Sequence, residues 1–313
     1  MISREEFEKG VKDLVSKDKD NPNLQYLSNS YGAKAIIFGI VGLLGIFAWI
    51  PLTFGLKTVF GPLLLVFSVI SLVTSISRSI NINKAQKYYE NNYLDKVINL
   101  VLKDIKFSFS SKEYISSEIF DESKFVIGYD RYKGSDLLTI NIPNDDNSES
   151  NNNLILCDLI VEEKHEDRDG DTHWSTVFGG IFGYVDFPCE FKCNLFLNVH
   201  SFGISFKLEK VELEDIEFNK NFSVYSSDQI ESRYILTPIM MEKLLKLKEK
   251  AGNIRVTIIK DKLYVGFDDL NLFVMNSVQN GNIESMFMGF YDVIEIIIGL
   301  VEEIKNNNKV FKI

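Results

Sequence analysis

Little in this chain can do redox or metal chemistry. It holds three cysteines and three histidines among its residues. An odd, sparse cysteine set builds no disulfide framework and suits a reducing compartment. Cys189 and Cys193 lie four apart in a segment that reads as strand, so they would share a face. Two thiols alone make a poor metal site, and no metal or cofactor is expected. A basic excess is also missing. The formal net charge is −10, which argues against nucleic acid as a partner, because nucleic acid wants a basic field. No glycine-rich phosphate loop stands between a strand and a helix. Gly179, Gly180 and Gly183 sit among aromatics and read as bends or bulges in a strand.

What the chain does have is two long apolar runs. The first spans about Ala35 to Thr53 and the second Thr58 to Ile76, with no charge inside either. A helix needs about 20 apolar residues to cross a bilayer. Pro51, Gly55 and Lys57 mark a short turn between the runs, and Trp49 suits an interface. The reading is therefore a membrane protein with an N-terminal transmembrane helical hairpin. Gly39, Gly42 and Gly45 form one small stripe, and Ser68, Ser71 and Ser75 another. Such stripes let two helices approach closely, so they are expected to face each other. Lys34 before the hairpin and Arg78, Lys84 and Lys87 after it outnumber Lys57 in the turn. The positive-inside rule then places both termini in the cytoplasm.

The expected divisions are an amphipathic N-terminal helix and linker over 1–33, the hairpin over 34–78 and a juxtamembrane helix over 79–110. A cytoplasmic α+β domain with mainly antiparallel strands follows over 111–313. Ser3 and Glu6 form a capping box for the first helix. Ile82 to Ile105 reads as one long helix. Asn141 to Asn153 is a polar loop. Strands are expected at Leu154–Glu162, Trp174–Val185, Phe191–Val199 and Gly203–Val211, with a turn over His165–Asp171. Asp228 caps a short helix through Tyr234. Thr237-Pro238 opens a clear one that Gly252 ends. Ile254–Ile259 and Leu263–Phe267 form a hairpin. A last helix covers about Gly289 to Lys305, its apolar character broken by Asp292 and Glu295.

Two clusters invite a functional reading. His165, Glu166, Asp167, Asp169, Asp171 and His173 crowd one loop, but they lack the twelve-residue calcium pattern and read as a solvated hairpin turn. Tyr225, Asp228, Glu231 and Arg233 are the best ligand-binding candidates. Carboxylates beside an arginine can grip a polar ligand or move a proton. The same residues also make a capping box, Asp228 accepting from the Glu231 N–H and Glu231 reaching back to the Asp228 N–H. With no nucleophile placed nearby, no catalytic residue is assigned.

The run Val211-Glu212-Leu213-Glu214, Glu217-Phe218, Phe222-Ser223-Val224-Tyr225-Ser226-Ser227-Asp228-Gln229, Glu231 and Arg233 to Pro238 resembles a bacterial family. It is the domain-of-unknown-function family 3137. Thr176 to Phe182, Phe187, Phe191 and the paired hairpin upstream are also similar to it. The departure is Ser232, where the family usually has alanine. The resemblance implies a membrane-tethered bacterial protein with a soluble domain and no assigned activity. Members are sometimes encoded near LemA-type membrane proteins. It brings no catalytic residues.

The leading expectation is a membrane-anchored protein-binding or scaffolding module at the cytoplasmic face. Its partners would be membrane lipid through the hairpin and a second membrane protein. The alternative is a membrane-tethered enzyme or a small-ligand or lipid sensor using Asp228, Glu231 and Arg233. A ligand site requires those side chains to converge in a pocket. A scaffold requires exposed apolar surface with the charges engaged in caps.

Overall fold

A computed structural model describes residues 1–17, 21, 26, 29–50, 60–142, 152–167, 170–199, 207–270, 272–273, 283–307 and 310–311. It divides into two compact units. One comprises Met1–Ile2, Val101–Phe273 and Gly289–Ile313, the other Ser3–Leu100 and Val274–Met288.

The second unit is helical. Helix α1 (Arg4–Ser16) is capped by Ser3, whose hydroxyl accepts from the Glu6 N–H, and it buries Phe7 and Val11. Helices α2 (Asn29–Ile50) and α3 (Phe60–Tyr89) are the two described helices long and apolar enough to cross a membrane. The turn read at Pro51 to Lys57 lies outside the described residues. The glycine stripe meets the serine stripe as expected. A Cβ on Gly39 or Gly45 would press on Ser75 or Ser68, and one on Gly42 on Leu72 and the Ser68 carbonyl. The Ser71 and Ser75 hydroxyls donate to the Phe38 and Ala35 carbonyls, both at 2.7 Å. The opposite faces carry exposed Ile36, Ile40, Leu44 and Leu63, and Phe47 is 75% exposed.

A Gly42→Leu change should part the helices, because backbone cannot retreat from the new side chain. Ala35→Cys with Ser75→Cys in a cysteine-free background should crosslink readily. Adding Gly42→Leu should cut that yield by about threefold or more. An unchanged yield would mean the stripes do not set the packing.

The long helix expected over Ile82 to Ile105 is not one regular helix. Its first residues belong to α3. A π-helical turn, Glu90–Leu94, follows, then α4 (Asp95–Val101). One wide turn keeps Tyr89, Tyr93 and Val97 all buried.

The other unit is built on a nine-stranded antiparallel sheet of order β1-β2-β3-β4-β9-β8-β5-β7-β6. The strands are β1 (Phe107–Ser110), β2 (Arg131–Ile142), β3 (Asn152–Glu166), β4 (Thr172–Asp186), β5 (Leu195–Leu197), β6 (Glu209–Val211), β7 (Val224–Ser226), β8 (Asn253–Ile259) and β9 (Lys262–Asp268). The sequence reading of Phe191–Val199 as a strand is too long. Only Leu195–Leu197 is strand, and Phe191 makes an isolated bridge to Phe311. Of Gly203–Val211, only Glu209–Val211 is described as strand, and 203–206 lie outside the described residues. The middle of the expected polar loop, 143–151, is likewise outside them, while Asn141 and Asn152–Asn153 belong to strands.

Cross-strand partners share a face, so the register assigns the two faces. Cys157, Phe182, Gly266 and Arg255 pair in succession across β3, β4, β9 and β8. This face is covered by α5 (Ser117–Ser123), whose Phe120 packs on Phe125, Phe178 and Phe182. On the other face lie Leu195, Leu197, Val256, Ile258 and Leu263. They meet Ile235, Met240, Leu244, Leu300 and Ile304. These come from α7 (Gln229–Ile235), α8 (Pro238–Ala251) and α9 (Ile283–Asn306). The short α6 (Ile216–Asn221) precedes β7. Tyr291 of α9 donates its hydroxyl to the Ile2 carbonyl at 2.9 Å.

Glycine is required at two points of β4. Gly180 has φ +145, and a Cβ there would meet the Phe267 carbonyl at 2.1 Å; one on Gly183 would meet Leu156 at 2.2 Å. Val177 has no partner where the register shifts between Val161 and Glu162. The expectation of strand bends at these glycines thus resolves into a bulge beside two close backbone approaches.

Candidate functional site

The α7 corner is fixed by local chemistry. Asp228 is in extended conformation, and its carboxylate accepts from the N–H groups of Ile230 (2.8 Å) and Glu231 (3.0 Å). The return arm expected from Glu231 is made by another residue. The Asp228 N–H donates to the Ser226 hydroxyl at 3.2 Å. Glu231 instead points one carboxylate oxygen toward Lys192 at 3.9 Å, and that oxygen is buried without a hydrogen bond. Arg233 donates to the backbone carbonyls of Gln229 and Glu212, the latter at 3.1 Å. Tyr225 lies on β7 opposite Phe196 and Lys210, half-buried against the aromatic core. The four candidates are thus neighbours in sequence with separate engagements. Ile230 and Tyr234 stand outward on α7, 69% and 42% exposed.

The histidine loop is a solvent-exposed hairpin turn. The Asp167 N–H donates to the Asp171 carbonyl at 3.0 Å, and the Asp171 N–H to the Asp167 carboxylate at 2.9 Å. His165 and His173 pair across the strands. His165 meets the Ser175 hydroxyl and His173 the Asp167 carboxylate. Asp169 lies outside the described residues. No group of three or more His, Cys, Asp or Glu side chains among the described residues could hold a metal.

Cys189 and Cys193 are not on a strand as the sequence suggested. They lie in the irregular segment before β5, Cys189 exposed and Cys193 buried. Burial pushes the Cys193 thiol up to about 11 and that of Cys157 to about 12. Both are poor nucleophiles near neutral pH.

Two polar features escape a sequence reading. The first is Asp158 on β3, 8% exposed, with both carboxylate oxygens buried and lacking a hydrogen bond. Its register partner on β2 is Ser135. The next residue, Asp136, sits at a register shift with φ +62. Burial first, and the Asp136 charge second, push the Asp158 carboxyl up to about 7. The sequence signal is a charged residue inside the apolar run Leu154–Val161.

The second is an open cleft of about 580 Å³, lined by Phe125, Asn198, Lys248, Asn253, Ile254, Arg255 and Asp268. Arg255 grips Asp268 with two hydrogen bonds, 2.9 and 3.0 Å, and donates to the Phe125 carbonyl at 3.0 Å. Burial raises the Asp268 carboxyl, and Arg255 partly offsets that. Asn198 braces the wall, donating to the Ile254 carbonyl and accepting from the Ser223 N–H. Lys248 lies over the Phe222 ring at 5.3 Å and reaches the Asn221 carbonyl. None of the four sequence candidates lines this cleft.

The sequence model of the family described as protein of unknown function (DUF3137) matches residues 176–306. The matched region runs from within β4 to the end of α9, and the family is the one that the sequence resembles. A comparison with curated proteins gives no match. Among solved structures the chain is similar to the mycobacterial trehalose monomycolate transport factor A. The identity is 7%, the match covers 68% of this chain and 96% of that one, and the TM-score is 0.33. That score is too low to carry either fold or function across.

Proposed function

We propose that the chain is a membrane-anchored protein-binding module, with α2 and α3 as the anchor and the sheet unit as the binding part. The observation that carries the anchor is the distribution of side chains on the hairpin. Its small residues face inward, and its large apolar ones are left outside. Water does not tolerate so continuous an apolar surface, whereas lipid does. Lys34, Arg78, Lys84 and Lys87 against Lys57 favour both ends of the hairpin on the cytoplasmic side.

For the binding part, the outward face of α7 supports a protein contact. Ile230 and Tyr234 are one turn apart and exposed. Asp228 and Arg233 beside them are engaged with the backbone. Buried aromatic and arginine anchors dominate protein interfaces, and this face offers a tyrosine and an arginine next to an isoleucine. The ligand-sensor reading of Asp228, Glu231 and Arg233 has less support, because the large cleft lies elsewhere.

The test is photo-crosslinking from position 230 in intact membranes. A single dominant adduct should form and should fall by about tenfold or more with Tyr234→Ala, the loss expected for an interface anchor. Absence of any protein adduct while the sheet unit stays folded would remove this face from the reading.

A further inference from the structure

We propose that the cleft beside β8 and β9 binds a small carboxylate, held by the Lys248 ammonium and the Asn253 side-chain amide. The site is independent of the α7 face. Its volume of about 580 Å³ falls in the range of small-molecule sites. Its charges do not cancel. Arg255 is matched by Asp268 in a two-bond pair. Lys248 is half-buried, and its interactions among the described residues are one carbonyl and one aromatic face. No carboxylate of a described residue reaches it. The ammonium has three donors, so at least one remains for a ligand. The Asn253 amide, at the mouth, makes no side-chain hydrogen bond with a described residue.

The balance selects the ligand class. One uncompensated cation plus one amide fits a single negative charge. A phosphate dianion would bring two charges against one and would face Asp268 across the same cleft. A neutral ligand would leave the half-buried ammonium uncompensated. Phe125 and Ile254, whose side chains are buried, border the cleft. Arg255 ties β8 to the Phe125 carbonyl and to β9, which holds that border in place.

The probe is 4-fluorobenzoate, followed by ¹⁹F NMR line broadening against the full chain in lipid nanodiscs, with empty nanodiscs as the blank. Saturable broadening is expected with 4-fluorobenzoate and at least about tenfold weaker binding with 4-fluorobenzyl alcohol. Lys248→Met should weaken the carboxylate by about tenfold, and Asn253→Ala, an exposed change that leaves the fold alone, by about threefold. Equal binding of the alcohol, or no effect of both substitutions, would overturn the proposal. Tighter binding of 4-fluorophenyl phosphate would overturn the carboxylate class.

Discussion

Asp158→Asn should flatten the pH dependence of stability between pH 4 and pH 8. The sign follows from where the proton is held. An unfolded aspartate titrates near 3.8, and the folded Asp158 near 7. Below the lower value both states are protonated, and the site contributes its full stability. As pH rises through this window the unfolded chain releases its proton first, so stability falls, and the loss is complete above about pH 7. The gap corresponds to a ceiling of about 4 kcal/mol. Asparagine carries no charge and resembles the protonated acid. The variant should match the native chain within about 1 kcal/mol at pH 4.5 and exceed it by about 2–4 kcal/mol at pH 8. Urea unfolding of the sheet unit at the two pH values, followed by near-ultraviolet circular dichroism, reads this directly. A variant with the native slope would show that Asp158 stays ionised throughout.

Phe120→Ala should be the most damaging single truncation in the sheet unit. Phe120 is fully buried. Its ring lies 5.0 Å from Phe182, 5.5 Å from Phe178 and 5.6 Å from Tyr132, centroid to centroid. It is the main attachment of α5 to the sheet. Emptying such a site costs about 3–5 kcal/mol, since seven-residue α5 cannot collapse inward without moving Ser123, whose carbonyl accepts from Thr257. Phe120→Leu should cost less than about half of that. Chemical denaturation gives both values, and a loss below about 1 kcal/mol for alanine would place the core elsewhere.

Local signals in the sequence were the readable ones. Asp228, Thr237-Pro238 and Gly252 announce helix ends because capping needs only neighbours a few residues away. The hairpin β8–β9 was visible for the same reason, with a two-residue turn at Lys260-Asp261. The glycine and serine stripes were readable because helical periodicity alone puts each on one face. The capping box at Asp228 was half-readable, since Ser226 takes an arm that sequence spacing gives to Glu231. Strand β2 is hard to read from sequence, because its register shift at Asp136 breaks the alternation that marks a strand. The cleft was not readable at all. Phe125, Asn198, Lys248, Arg255 and Asp268 come together only when β8, β9 and α8 are in place, and no spacing in the sequence encodes that. The family region over 176–306 was recognisable from the Phe218 to Pro238 run.

The bond from Tyr291 to Ile2 joins residues 289 apart. A ribosome makes Ile2 long before Tyr291. The apolar runs of α2 and α3 leave the exit tunnel while most of the sheet is still unmade. Closure of the sheet unit then waits for α9, so all nine strands are made before the helix that covers one of their faces. Until α9 is made, the uncovered strands are natural clients for holding chaperones.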